Sequence, residues 1–171
     1  MAKALWLFTK RSTMAAMIAV TLADRVGNVA RTQGDSMQPT LQPGDKHLLG
    51  FLKGDVVFFE KFSASGYKYC RGDVVVLRSP SDPNQWMVKR LIALQGDWIN
   101  VPGSYEILQI PKGRCWVEGD NGNLSLDSRT FGAIPLALVK GRVTHKIWPP
   151  NRVGRVERVL PGGRVMLDDL V

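Results

Sequence analysis

Three short stretches of the chain carry side chains whose types and spacing suit peptide-bond chemistry. The first is Gly34-Asp35-Ser36-Met37-Gln38-Pro39-Thr40-Leu41, a serine between a flexible glycine and a rigid proline. Gly34 lets backbone approach closely, and a bend of this kind can expose the Ser36 hydroxyl while neighbouring backbone N–H groups point at the same space. A tetrahedral oxyanion requires that arrangement. The block is not a GxSxG elbow, because Gln38 stands where the second glycine would be. The plain alternative is a serine that merely shapes a turn.

The second stretch is Met87-Val88-Lys89-Arg90-Leu91-Ile92-Ala93. Strand alternation puts Lys89 in one row with Met87, Leu91 and Ala93, and Val88, Arg90 and Ile92 in the other. With apolar neighbours on both sides, an ammonium at Lys89 is poorly solvated, and desolvation lowers a lysine pKa. A fall of about three units, roughly 4 kcal/mol, would make a neutral amine available near pH 7 as a general base. The competing reading is a lysine that snorkels to water. The third stretch is Val117-Glu118-Gly119-Asp120-Asn121, followed by Ser125, Asp127, Ser128 and Arg129 and closed by Gly132. Ser125 could hold an amine in place, with Asp127 and Arg129 as a supporting ion pair; otherwise this is a solvated polar loop.

The elements that must bring these stretches together are mostly strands. From about residue 45, short runs rich in Val, Ile, Leu, Phe and Trp alternate with Gly, Pro, Asp and Asn every eight to twelve positions, the pattern of an all-β sandwich or barrel. The predicted strands are His47 to Leu52, Asp55 to Phe59, Asp73 to Leu77, Gln85 to Leu94, Trp98 to Val101, Tyr105 to Ile110, Cys115 to Glu118 and Val139 to Trp148. Ahead of them, residues 1 to 23 lack acidic side chains, carry Lys3, Lys10 and Arg11, and run apolar from Met14 to Ala23 apart from Thr21. This describes a targeting signal or membrane anchor over residues 1–31, although the apolar run is about half of what spans a bilayer. An amphipathic helix packed on the domain is the alternative. The β-rich domain is expected over 32–150, and the proline- and glycine-marked residues 151–171 as a tail that wraps the surface or is loosely held.

Composition limits the function classes. The 171 residues are 44% hydrophobic and 22% charged, which fits one globular domain and not a disordered chain. The formal charge of +8, from 23 Lys and Arg against 15 Asp and Glu, suits nucleic acid, an anionic membrane surface or an import signal without choosing among them. Cys70 and Cys115 form no CxxC pattern, and His47 and His145 stand alone, so no metal site is expected. Neither GxxxxGK[ST] nor GxGxxG precedes a helix, so nucleotide binding is unsupported. Arg71-Gly72-Asp73 before Val74-Val75-Val76 reads as a tight turn feeding a buried strand.

Taken together, the blocks resemble those of the type I signal peptidase family, serine proteases with a Ser-Lys dyad. The likeness spans most of residues 32–148: SMxPTL at Ser36 to Leu41, RGDVVVL at Arg71 to Leu77, VKRLIALQGD at Val88 to Asp97, and GDN with SxDSRxxG at Gly119 to Gly132. The resemblance implies a mainly β, signal-peptidase-like fold of antiparallel strands with a short N-terminal helical membrane anchor. It implies Ser36 as nucleophile, Lys89 as general base, Ser125 as the hydroxyl positioning the amine, and Asp127, Arg129 and Asp120 as structural support. No metal or cofactor is implied. Gly34 stands where some bacterial relatives carry an oxyanion-hole hydroxyl, leaving more of that task to the Ser36 N–H. Gly122 and Leu124 replace residues that are often polar, and the short segment 98–116 leaves no room for a large inserted β domain.

The compact length and Val143 to Pro150 are similar to the mitochondrial inner-membrane branch of the family. The partners so implied are precursors with cleavable sorting signals, the membrane, and a sister catalytic subunit, with the peptidase domain facing the intermembrane space. Alternatives are a signal peptidase of a bacterial or plastid membrane, or a non-catalytic scaffold subunit. The latter would be expected to have lost Ser36 or Lys89, and both are present. Self-cleaving transcriptional repressors share a Ser-Lys β fold, but the first 33 residues are too short and apolar for a helix-turn-helix, so no nucleic-acid partner is expected.

Overall fold

The structure is a computed structural model that describes residues 2–44, 54–104 and 106–166. Its first element is helix α1, Ala2–Arg25. The strands are β1 (Gly27–Arg31), β2 (Val56–Glu60), β3 (Val74–Arg78), β4 (Trp86–Ala93), β5 (Trp98–Asn100), β6 (Ile107–Gln109), β7 (Arg114–Glu118), β8 (Ile134–Pro135), β9 (Val139–Trp148), β10 (Gly154–Arg155) and β11 (Val165–Met166). Two one-turn helices, α2 (Phe62–Ser65) and α3 (Ser128–Phe131), interrupt them.

The main sheet runs β1-β2-β9-β3-β4-β7-β8, with β10 also pairing β9. A smaller sheet runs β11-β5-β6. The pairings are antiparallel, so the mainly β expectation is met. Strand β9 sits between β2 and β3 although it comes late in the chain. It is continuous over ten residues, with bulges in its pairing on both sides. Such bulges increase local twist and bend a sheet, and β1 and the first half of β4 contribute to the walls of one groove.

Burial explains the strand pattern. Strand β3 is covered on both faces, which is why Val74, Val75, Val76 and Leu77 form an unbroken apolar run. Val75 and Leu77 pack with Leu91, Cys115, Val117 and Ile134, while Val74 and Val76 pack with Met37, Leu41, Val57 and Phe59. A third cluster, Ile92, Ala93, Ile99, Ile110 and Trp116, fills the space against the small sheet. Ala93 leaves the row of Met87 and Leu91 because the β4–β7 register shifts between Leu91 and Ala93. Gly72, at φ +87°, turns the chain into β3. Cys70 and Cys115 are free thiols, and burial pushes the Cys115 thiol up to about 12.

Several features differ from the sequence-based strand list or lie beyond it. Gly27–Arg31, counted with the N-terminal segment, is strand β1 and pairs residue for residue with β2. Its sequence GNVAR lacks strand-forming alternation, and the pairing is dictated by the partner strand. The predicted strand at His47 to Leu52 lies outside the described residues. Residues 151–166 wrap the surface: β10 pairs β9, β11 pairs β5, and Arg152, Arg158 and Arg164 bind the buried carboxylates of Asp55, Asp73 and Glu118. The N-terminal helix is present, but among the described residues no helix is long and apolar enough to cross a membrane.

Close packing at the sheet centre gives a direct test. A Cβ on Gly141 would lie 2.6 Å from the Glu60 carbonyl oxygen and 2.6 Å from Cδ2 of Phe59. Gly141→Ala is expected to cost about 2 kcal/mol and lower Tm by roughly 4–8 °C, read by thermal unfolding.

Candidate active site

Ser36 lies in a single 3-10 turn, Asp35–Met37, directly after Gly34 at φ +76°. Gly34 has open space around it, so the positive φ, not crowding, is what calls for glycine there. Met37 and Leu41 anchor the turn in the core, Gln38 donates from Nε2 to Asp35 Oδ1 at 2.8 Å, and the Leu41 N–H donates to the Met37 carbonyl. Ser36 is thus a half-buried residue on a loop whose flanks are fixed.

Lys89 is 3% exposed, midway along β4 and opposite Val75 of β3. Its Nζ donates to Ser125 Oγ at 2.9 Å. Ser125 Oγ donates onward to Asp127 Oδ2 at 2.6 Å. Asp127, fully buried, also accepts from the Gly119 N–H at 2.9 Å, and from the Arg129 side chain at 2.9 Å and 2.6 Å. It caps α3 by accepting from the Arg129 N–H. Snorkelling is therefore not what Lys89 does: its head group is held within the protein by a hydroxyl that is itself held by a carboxylate.

The electrostatics follow from this packing. Desolvation lowers the Lys89 amine to about 8, with Asp127 and Asp120 pulling it up and Arg129 pushing it down. The fall is smaller than the three units expected from strand burial alone, because the two carboxylates offset part of the desolvation. Roughly one amine in ten is then neutral at pH 7 and half at pH 8. Burial alone would raise Asp127, but donors from Arg129, Gly119 and Ser125 outweigh it and hold the carboxyl below its ordinary range.

Gly119 joins Ser36 to this network. A Cβ there would collide with Ser125 Oγ and with the Ser36 carbonyl oxygen, so only glycine admits both. The Asn121 N–H donates to the same Ser36 carbonyl at 3.0 Å. Gly122 similarly leaves room for Arg129, whose Nη1 would be 2.9 Å from a Cβ at that position. Ser36 and Lys89 both line a groove of about 860 Å³, walled by Asn28 to Thr32 on one side and Gln85 to Val88 on the other.

The structure therefore brings Ser36, Lys89, Ser125, Asp127 and Arg129 together, with Asp120 close enough to act on the Lys89 amine. Asp120 is bound by Arg90, which donates to both its oxygens at 2.7 Å. Arg90 also donates to the carbonyls of Gly72 and Glu157 and to Thr40 Oγ1. Sequence reasoning gave no role to Arg90 or to Gly119. Arg90 was open to the argument applied to Lys89, a charge set in an apolar strand, and needed only a buried partner of opposite sign. Gly119 gives no local signal, because its constraint comes from atoms far away in the chain.

Comparison with known proteins places this geometry. Residues 5–108 and 102–148 match the family described as signal peptidase, peptidase S26, and the chain belongs to that family. It is a serine peptidase of the signal-peptidase type. Among its relatives is mitochondrial inner membrane protease subunit 2 of Mus musculus, 42% identical over 161 residues, covering 94% of this chain and 89% of the relative. The Homo sapiens subunit 2 is 42% identical over 92% of this chain and 88% of its own length. Subunit 1 of Homo sapiens is 38% identical over 89% of this chain and 87% of its own. The likeness to these subunits agrees with the mitochondrial inner-membrane branch that the sequence resembles. A crystal structure of a signal peptidase I from Enterococcus faecalis V583 is 24% identical, with TM-score 0.38, covering 44% of this chain and 97% of that one.

If Ser125 positions the amine, Ser125→Ala should lower kcat about 10²-fold with KM changed less than threefold, whereas Ser125→Thr retains part of the rate. Steady-state kinetics on a cleaved precursor measures both.

Proposed function

We propose that the protein is a membrane-associated serine endopeptidase that removes signal-like sorting presequences, with Ser36 as nucleophile and Lys89 as general base. The observation that carries this reading is the buried Lys89 amine, held by Ser125 in the groove that also holds Ser36. Neutral Lys89 takes the Ser36 Oγ proton as the oxygen attacks the scissile carbonyl. It then gives that proton to the amine as the C–N bond breaks. Water attacks the acyl-enzyme with its proton passing to Lys89, and Ser36 Oγ regains a proton as the new carboxyl leaves. The Ser36 N–H, with Gly34 freeing the approach, faces the developing oxyanion.

Substrate binds extended in the groove. Residues 86–89 of β4 lie beyond the β4–β7 pairing, which begins at Arg90, and β1 is the terminal strand of the main sheet. A peptide strand fits between these two walls. Met37, Leu41, Val76 and Val88 give the groove an apolar floor suited to small side chains.

The relatives support a place at the mitochondrial inner membrane and work alongside a sister subunit. We assign the peptidase domain to the intermembrane-space side. The substrates are precursors delivered there. Helix α1 attaches the chain to the bilayer: Trp6, Leu7, Phe8, Met14, Met17, Ile18 and Val20 are all exposed on it.

Ser36→Ala and Lys89→Met are each expected to abolish cleavage of a sorting-sequence precursor, and retained cleavage in either would refute the dyad. Because the base acts when neutral, kcat rises with pH through an apparent pKa near 8. A rise centred near 10.4 would contradict burial of Lys89. For the membrane placement, added protease should digest the β domain in mitoplasts and spare it in intact mitochondria, and the chain should sediment with inner-membrane vesicles at physiological salt.

A further inference from the structure

The family match stops at residue 148, yet the structure continues through ordered chain to residue 166. That segment does not lie on the groove. Its Val156 packs in the cluster that holds Met37 and Leu41 beneath the Ser36 turn, and two of its contacts fall on residues adjacent in sequence to the site. The Glu157 carbonyl accepts from Arg90 Nη1 at 3.3 Å, and Arg90 follows Lys89. Arg164 Nη2 donates to Glu118 Oε2 at 2.9 Å, and Glu118 precedes Gly119. Arg90 and Glu118 are opposite one another in the β4–β7 ladder. Strand alternation turns both away from the face on which Lys89 and Gly119 operate.

We propose that the C-terminal segment is a strap that fixes the catalytic loop, with Arg164 as a positioning residue acting through Glu118 on Gly119. The inference rests on the Ser36–Lys89 reading and deepens it. Glu118 is buried, and its other oxygen accepts from Trp116 Nε1 at 2.9 Å. Its carboxylate is therefore pinned at both oxygens, one partner within its own strand and one from the strap. The next residue, Gly119, has its N–H on Asp127 and its Cα against Ser125 Oγ and the Ser36 carbonyl. A shift of Glu118 is transmitted to all three.

The strap has further holds. Val156 donates its N–H to the Thr144 carbonyl, Arg158 binds Asp73 at 2.8 Å, and Val165 pairs with Ile99. Asp73 heads β3, and the Leu91 N–H donates to its carbonyl, so this contact also bears on β4. The charged groups that act on the Lys89 amine itself are Asp127, Arg129 and Asp120. Arg90, which the Glu157 carbonyl helps to hold, is the ion-pair partner of Asp120.

The test uses the full-length chain in inner-membrane extract, with a sorting-sequence precursor as substrate. Arg164→Met is expected to lower kcat about tenfold with KM within twofold, and to move the rising limb of the pH–kcat profile upward. Arg164→Lys should restore most of the rate. Because removing Arg164 leaves a buried carboxylate short of a partner, Glu118→Gln is combined with Arg164→Met to recover folding. This double variant should melt within a few degrees of the parent and remain slow. Full kcat in the double variant, or an Arg164→Met protein with unchanged kcat and pH profile, would overturn the strap. Loss of rate in the parent chain's Ser36→Ala variant, run alongside, keeps the dyad reading separate: if that variant still cleaves, the dyad fails and not the strap.

Discussion

The rest of the structure depends on keeping one amine out of water without letting a carboxylate claim it. Lys89 could be neutralised by burial alone, but an amine buried without a partner has no fixed direction, and an amine paired with a carboxylate keeps its proton. The fold places a hydroxyl between the two. Ser125 accepts from Lys89 and donates to Asp127, so the lysine is oriented without a direct ion pair. Asp127 in turn has its charge spent on Arg129 and on backbone N–H groups. The polar loop, the short helix α3 and the glycines at 119 and 122 all serve this separation.

Arginine carries the supporting charge throughout. Seven ion pairs among the described residues join arginines to Asp97, Asp120, Asp127, Glu60, Asp55, Asp73 and Glu118. Arginine retains its charge when buried and presents several donors in a planar fork, which suits it to binding two or three acceptors from different elements. Arg90 uses that capacity most fully, meeting Asp120, Gly72, Thr40 and Glu157. Lysine in the same position would have the charge without the geometry. The one lysine in this region is Lys89, the residue proposed as the general base.

Much of this was legible in the residues themselves. Apolar runs separated by turn residues marked β2 to β7 and β9 to within a residue or two at most ends, because burial on a sheet leaves a local pattern. Lys89 could be read as desolvated from its own strand. The family blocks grouped it with Ser36 and Ser125. What could not be read locally was set by distant partners. Strand β1 takes its shape from β2, and β10 and β11 are two-residue strands whose pairing, not their composition, defines them. The tail's arginines look like solvated charges in sequence, and only the carboxylates brought beneath them by folding show that they are structural. The same holds for Gly119, whose lack of a side chain matters because Ser36 and Ser125 converge on it.

Strand β9 lies between β2 and β3, and it is the latest to be made among the long strands of the main sheet. Before residues 139–148 exist, the sheet is two fragments: β1 with β2, and β3 with β4, β7 and β8. The turn bearing the serine lies between the two strands of the first fragment, while the lysine belongs to the second. A chain halted short of that strand therefore lacks the ladder that joins the two fragments, and the serine turn meets the lysine's fragment only through its loop contacts, such as the Asn121 N–H on the Ser36 carbonyl. The full sheet that frames Ser36 and Lys89 closes only once that strand is in place.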